Sequence, residues 1–251
     1  MIPKIIHYCW LSNDPVPAQL QRCIDTWKPL LPDYEIWLWD FERLGDDLND
    51  WVREAFNAKK YAFAADYVRA YALYNYGGIY MDSDVELLKS FDPFLHLPYM
   101  MCRESGTDSI EAACIGAEKG HPFFKALVEY YHDRHFVRSD GSFEDTPMPY
   151  IFIATAKKNA LTIKDIPTPE YFDADPNTLS VLPSYYFSPI NLETMQMDLA
   201  PQTVAIHRFA ATWRTPAHRA KKRFQRLIGP TLTTICIRIK KIVKSLCLPT
   251  R

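Results

Sequence analysis

Residues 62–86, AFAADYVRAYALYNYGGIYMDSDVE, carry the reading of this chain. Lys60–Tyr76 has the composition and spacing of a helix, and Gly77-Gly78 supplies its C-terminal stop. Ile79–Glu86 then reads as a strand. On the helix, Asp66 and Arg69 are three apart and share a face. On the strand, Asp82 and Asp84 are two apart, so both carboxylates leave the same side. They fall where the strand ends, and in open α/β sheets the ligand crevice lies at the carboxyl ends of the strands. Two carboxylates converging there are reconciled by a divalent cation held on oxygen ligands.

Working outward, Pro3–Trp10 (PKIIHYCW) is a short buried strand. Leu20, Cys23, Ile24 and Trp27 recur at helical spacing, ended by Pro29 and Pro32. Tyr34–Trp39 is a second strand. Strand, helix and strand at this spacing form a βαβ unit, so the expected fold class is α/β with a mixed, mostly parallel central sheet. Further helices are expected over Asp47–Asn57 and Pro122–Phe136, and short strands over Tyr99–Arg103 and Ala112–Gly116. The eight prolines between Pro147 and Pro201 read as irregular excursions. Within them a second Asp-x-Asp, Asp173-Ala-Asp175, precedes Pro176 and reads as turn chemistry.

The 251 residues suffice for one sizeable core, and 48 % apolar with 24 % charged residues excludes a disordered or fibrous chain. Six cysteines without a C-x-x-C spacing argue against a disulfide framework or structural zinc, and fit reduced thiols in the cytoplasm. The opening MIPKIIHYCW does not read as a signal peptide, and no run of 18 apolar residues occurs. The net charge of -1 hides an asymmetry. No acidic residue follows Asp198, while residues 199–251 hold 12 of the 29 Lys and Arg; residues 1–198 carry the other 17 against all 30 acidic residues. An acidic body gathers cations, and a basic tail seeks an anionic surface.

Ala65–Asp84 (ADYVRAYALYNYGGIYMDSD), together with IPKIIHYCW, resembles the sugar-nucleotide glycosyltransferases of family 32. That group includes bacterial capsule enzymes and fungal α-mannosyltransferases and is related to the catalytic domains of large clostridial glucosylating toxins. The resemblance covers residues 1–95 and, more weakly, 204–214. It implies a GT-A type, Rossmann-like nucleotide-binding fold, dependence on Mn2+ or Mg2+, a UDP- or GDP-sugar donor and retention of anomeric configuration. By the same resemblance His7 and Trp10 frame the nucleotide base, and Asp66 and Arg69 meet the donor's ribose, sugar hydroxyls and pyrophosphate. Asp84 is the direct metal ligand, and Asp82 serves ribose and metal. Ala205–Arg214 (AIHRFAATWR) is similar to the family's closing segment, with Thr212 where Ser is usual. His207 becomes a third metal or phosphate ligand there, Thr212 a donor contact, and Trp213 an N–H donor to the leaving phosphate. The catalytic candidates are thus Asp66, Arg69, Asp82, Asp84 and Trp213. A core role for His7, Trp10 or His207, and a plain intrahelical ion pair for Asp66 and Arg69, stay open alternatives.

No G-x-G-x-x-G is present, so pyrophosphate charge falls to the metal and Arg69, with Arg208 or Arg214 as helpers. Residues 1–214 are expected to form the catalytic domain and 215–251 a basic tail. From Leu232 to Leu246 a 100° step puts Leu232, Ile235, Cys236, Ile239, Ile242, Val243 and Leu246 on one face and Arg238, Lys240, Lys241 and Lys244 on the other. Such a helix lies flat in a membrane interface, so residues 219–247 are expected on an anionic membrane at its cytoplasmic face; packing on the domain is the competing reading. Nucleic acid is not an expected partner. The acceptor is a saccharide, lipid-linked if the tail docks, and Glu104, Asp108, His121 and Tyr150 are candidate acceptor contacts. A nucleotidyltransferase would carry an early Gly-rich, Lys-bearing loop, which is absent. A non-catalytic carbohydrate-binding module has no use for the Asp66, Arg69, Asp82 and Asp84 cluster.

Overall fold

The computed structural model describes residues 1–12, 14–45 and 49–210, and towards the C-terminus 220, 224, 225, 227–229 and 231–236. In chain order the elements are β1 (Ile5–Cys9), α1 (Ala18–Ile24), α2 (Trp27–Leu30), β2 (Glu35–Trp39), α3 (Phe41–Leu44), α4 (Asp50–Asn57) and α5 (Tyr61–Tyr76). There follow β3 (Gly78–Met81), β4 (Val85–Leu87), β5 (Tyr99–Met100), β6 (Cys114–Ala117), α6 (Pro122–His132), α7 (Met148–Lys158), β7 (Thr162–Asp165), β8 (Thr178–Val181) and β9 (Ala205–His207).

The central sheet runs β2-β1-β3-β6-β5. β1 pairs parallel with β2 and β3, whereas β6 is antiparallel to both β3 and β5, so four of the five strands point one way. The expected α/β architecture with a mixed, mostly parallel sheet is what the chain forms. Alternation along β3 divides the core: Tyr80 joins Trp51, Val68, Leu73 and Ile115 on the face covered by α4 to α7, while Ile79 and Met81 join Ile6, Trp27 and Phe91 on the other. Two further pairs lie outside this sheet, β4 antiparallel to β9 and β7 parallel to β8.

Several local expectations change. The single helix expected through Trp27 is two, with Pro29 inside the short α2. α6 stops at His132, short of Phe136. The strand expected over Ile79–Glu86 is broken at the aspartates into β3 and β4, which belong to different sheets. The proline-rich stretch is not wholly irregular. Pro147 precedes α7 and Pro149 sits in its first turn, where a missing N–H costs nothing, and β7 and β8 follow. Asp173 accepts from Asp175 N and pairs with Lys164 at 2.7 Å, so the second Asp-x-Asp is turn chemistry as expected. Of the basic tail, residues 231–236 are helical; Ile239 to Leu246 lie outside the described residues.

Candidate functional site

The site grows from the α5–β3 junction. α5 ends in Gly77 at φ +68°, and Gly78 at φ +103° opens β3 directly. A Cβ at Gly78 would stand 2.6 Å from Ile5 O, and one at Gly77 2.6 Å from Lys119 N, so only glycine lets the helix end this close to β1. That short reversal aims one face of α5 at the end of β3. Arg69 reaches Asp82 Oδ1 at 2.9 Å and Asp66 Oδ1 at 3.3 Å, with its guanidinium over the Tyr80 ring at 4.5 Å. Its Nε is buried without a partner in the protein.

After Met81 the backbone turns, Val85 N donating to Asp82 O at 2.9 Å. The two aspartates therefore converge across a tight turn, not through the pleat of one strand. β4 then pairs with β9 and sets Val85 opposite His207. Ala210 N donates to Asp84 Oδ2 at 2.7 Å, and His207 Nε2 lies 3.5 Å from Asp84 Oδ1. Asp82, Asp84 and His207 each bring one ligand atom within 4.8 Å of the others. No other such group exists among the described residues.

Behind the histidine lies a residue the sequence reading missed. Glu111 is buried; its Oε1 accepts from Ala112 N and Ala113 N at 2.9 Å each, and its Oε2 is 3.2 Å from His207 Nδ1. The one sequence signal was an acid set directly against the apolar run that becomes β6.

Four carboxyl groups (Asp66, Asp82, Asp84 and Glu111) thus face two cations, Arg69 and His207. Burial raises Asp66 to about 7 despite Arg69 beside it. Burial also raises Asp82, opposed by Arg69 and reinforced by the Asp84 charge. Asp84 lies below the ordinary carboxylate value: burial acts upward, but His207 and the Ala210 N–H outweigh it. Glu111 falls to about 2 because His207 and the backbone donors overcome burial. His207 is held well above its ordinary value by Glu111 and Asp84 against the pull of burial. A cluster with excess negative charge and two carboxylates facing one imidazole nitrogen is chemically suited to a divalent ion.

Other expected residues fall elsewhere. His7 is fully buried, so it does not frame a base. Trp39 Nε1 donates to its Nδ1 at 3.0 Å, and its Nε2 bonds Gly77 O at 2.7 Å. Burial lowers it to about 4, and it serves as a brace of the Gly77 turn. Trp10, half-buried at the end of β1, donates its indole N–H to Asp14 O at 2.9 Å. Arg208 is committed to Glu86, with Nε at 2.7 Å from Oε2. His121 caps α6, accepting from Phe123 N beside Tyr99. Thr212, Trp213 and Arg214 lie outside the described residues. A cleft of about 780 Å³ opens onto Asp84, lined by Leu20, Cys23, Thr26, Ile190 and Met197 among others.

Residues 17–100 match the family model described as glycosyltransferase sugar-binding region containing DXD motif. That stretch holds Asp66, Arg69, Asp82 and Asp84 together. Inositol phosphoceramide mannosyltransferase 3 of Schizosaccharomyces pombe is 38 % identical over 135 residues, 51 % of this chain and 36 % of that one. A mannosyl phosphorylinositol ceramide synthase of Saccharomyces cerevisiae is 34 % identical over 137 residues, 51 % of this chain and 35 % of that one. The chain spans about a third of the length of these fungal relatives. An uncharacterized glycosyltransferase of Acanthamoeba polyphaga mimivirus is 27 % identical over 203 residues, 76 % of this chain and 75 % of that one. Among solved structures, PaToxG glycosyltransferase superposes with a TM-score of 0.46 at 20 % identity, over 63 % of this chain and 70 % of that one.

Proposed function

We propose that the chain is a metal-dependent, retaining glycosyltransferase of GT-A type that moves a sugar from a UDP- or GDP-sugar to a saccharide acceptor carried on a lipid. The observation that carries this reading is the meeting of Asp82, Asp84 and His207 beside the buried Asp66–Arg69 pair, with all but His207 inside the matched region. The names of the mannosyl-transferring relatives favour mannose as the sugar and a glycolipid as the product; a capsule-type polysaccharide is the other product class.

In this reading residues 1–214 are the catalytic domain, and Asp82, Asp84 and His207 hold the ion. The mixed oxygen and nitrogen donor set favours Mn2+ over Mg2+. When bound, the ion supplies Lewis-acid stabilisation of the departing nucleoside diphosphate. Arg69, braced by Asp66 and Asp82, opposes the remaining phosphate charge from a fixed position, so little reorganisation is needed as charge develops. Its unpartnered Nε supports an anionic ligand there. The cleft at Asp84 gives substrate a route to the ion, and front-face attack by the acceptor hydroxyl needs no protein nucleophile. A panel of UDP- and GDP-sugars incubated with Mn2+ should release nucleoside diphosphate from one member, and Asp84→Ala should abolish the release. Turnover of that variant at the wild-type rate would remove the reading.

The tail docks peripherally on an anionic bilayer at the cytoplasmic face, with no nucleic-acid partner. Its support is an inverted burial pattern among the described tail residues: Gln225 and Thr233 are turned inward at 8 % and 1 % exposure, while Phe224, Leu227, Leu232 and Ile235 are exposed. Cys236 is exposed as well. Apolar side chains facing outward on a tail, residues 215–251, with 10 basic and no acidic residues match an interfacial helix. No helix among the described residues is long and apolar enough to cross a membrane. Co-sedimentation with phosphatidylserine vesicles should be lost on truncation after Gly229; undiminished binding would overturn the docking.

A further inference from the structure

Glu111 has no place in the scheme above, yet it is buried at 2 % exposure beside the only metal-competent cluster of the described residues. An isolated carboxylate there would be costly, and this one is compensated on every side. Its Oε1 takes two backbone N–H groups at 2.9 Å, and its Oε2 takes His207 Nδ1 at 3.2 Å. The imidazole is clamped, with Nδ1 towards Glu111 and Nε2 towards Asp84. Only Nε2 faces the aspartates. Once an ion displaces the Nε2 proton of this cationic ring, Nδ1–H donation to a carboxylate leaves the Nε2 lone pair for the ion, which is the tautomer and orientation a ligating histidine needs.

We propose that Glu111 is the positioning residue of the ion site: it fixes the His207 tautomer and ring plane so that Nε2 completes the set begun by Asp82 and Asp84. This rests on the reading of those three residues as an ion site. The hydrogen bonds dictate what a near-isosteric change does. In Glu111→Gln the amide oxygen must stay on the Ala112 and Ala113 N–H groups, so the NH2 turns to His207. Nδ1 then has to accept, and the proton moves to Nε2, facing the ion.

Mn2+ affinity measured by titration calorimetry is therefore expected to fall about 10- to 100-fold in Glu111→Gln, with Glu111→Asp closer to wild type. Unchanged affinity in Glu111→Gln overturns the proposal. Asp84→Ala and His207→Ala separate the two levels: if they weaken Mn2+ binding and Glu111→Gln does not, the positioning role alone is wrong. If neither they nor wild type bind Mn2+ differently from buffer, the ion site itself falls and the role with it. Should Glu111→Gln not fold, 15N NMR of the wild-type protein saturated with Cd2+ decides the matter. Protonated Nδ1 with bare Nε2 on His207 is expected, and a proton on Nε2 refutes the assignment.

Discussion

Asp84 and Asp82 are two residues apart and chemically identical, but their surroundings make them different acids. Asp84 is held below the ordinary carboxylate value by His207 and the Ala210 N–H, so it carries a full charge at neutral pH. Asp82 shares its proton affinity with burial and with Arg69. Asp84→Asn is therefore expected to lower Mn2+-dependent sugar-nucleotide turnover at least about a hundredfold, several kcal/mol of transition-state stabilisation; steady-state kinetics over a Mn2+ series checks this. Asp66 titrates differently. Its folded-state value of about 7 lies above the ordinary 3.8, so the folded protein binds the extra proton. Stability is then lost as pH rises from 3.8 to about 7 and levels off above. Urea melts at a series of pH values should show that slope in wild type and a flatter one in Asp66→Asn; identical slopes would contradict the assignment.

At the scale of elements, the α5–β3 reversal is what brings a helix face and a strand end into one site. It depends on two glycines at positive φ with backbone atoms 2.6 Å from where a Cβ would sit. Gly78→Ala combines a strained backbone with a clash against Ile5 O, each costing about 1–3 kcal/mol. Thermal or urea unfolding of that variant should register a loss of about 3 kcal/mol or more, and near-wild-type stability would mean the junction can relax. The same junction explains His7. Its two ring nitrogens tie Trp39 on β2 to Gly77, bracing the turn from the neighbouring strand.

Across the whole molecule, the candidate ion site is closed late in the chain. β9 lies far from β3 in sequence, yet its pairing with β4 delivers His207 and the Ala210 N–H to Asp84. An ion that binds this assembled site and not the unfolded chain stabilises the fold by mass action. At free Mn2+ near 100 times its Kd this amounts to about 2.7 kcal/mol. For a chain of this size the melting temperature should then rise by about 5–10 °C. EDTA should reverse the shift, and His207→Ala should remove most of it. A melting temperature indifferent to Mn2+ and EDTA would count against the site.

What could be read from the chain alone was whatever depends on neighbours in sequence. Helical spacing put Asp66 and Arg69 on one face, the Gly77-Gly78 pair marked the helix stop, and short runs dense in β-formers marked β1, β2 and β3, because backbone geometry and local composition act over a few residues. The same locality misled where two arrangements share a pattern. Ile79–Glu86 reads as one strand because a turn at Ser83-Asp84 leaves the apolar positions in step, and the prolines opening α7 look like those of a loop. Tertiary structure alone decided which charges meet. Burial of His7, the clamp of Glu111 on His207 and the low-dielectric meeting of four carboxyl groups with two cations arise from strands paired across most of the chain. Desolvation and Coulomb interactions depend on distance in space, for which order in sequence carries no measure.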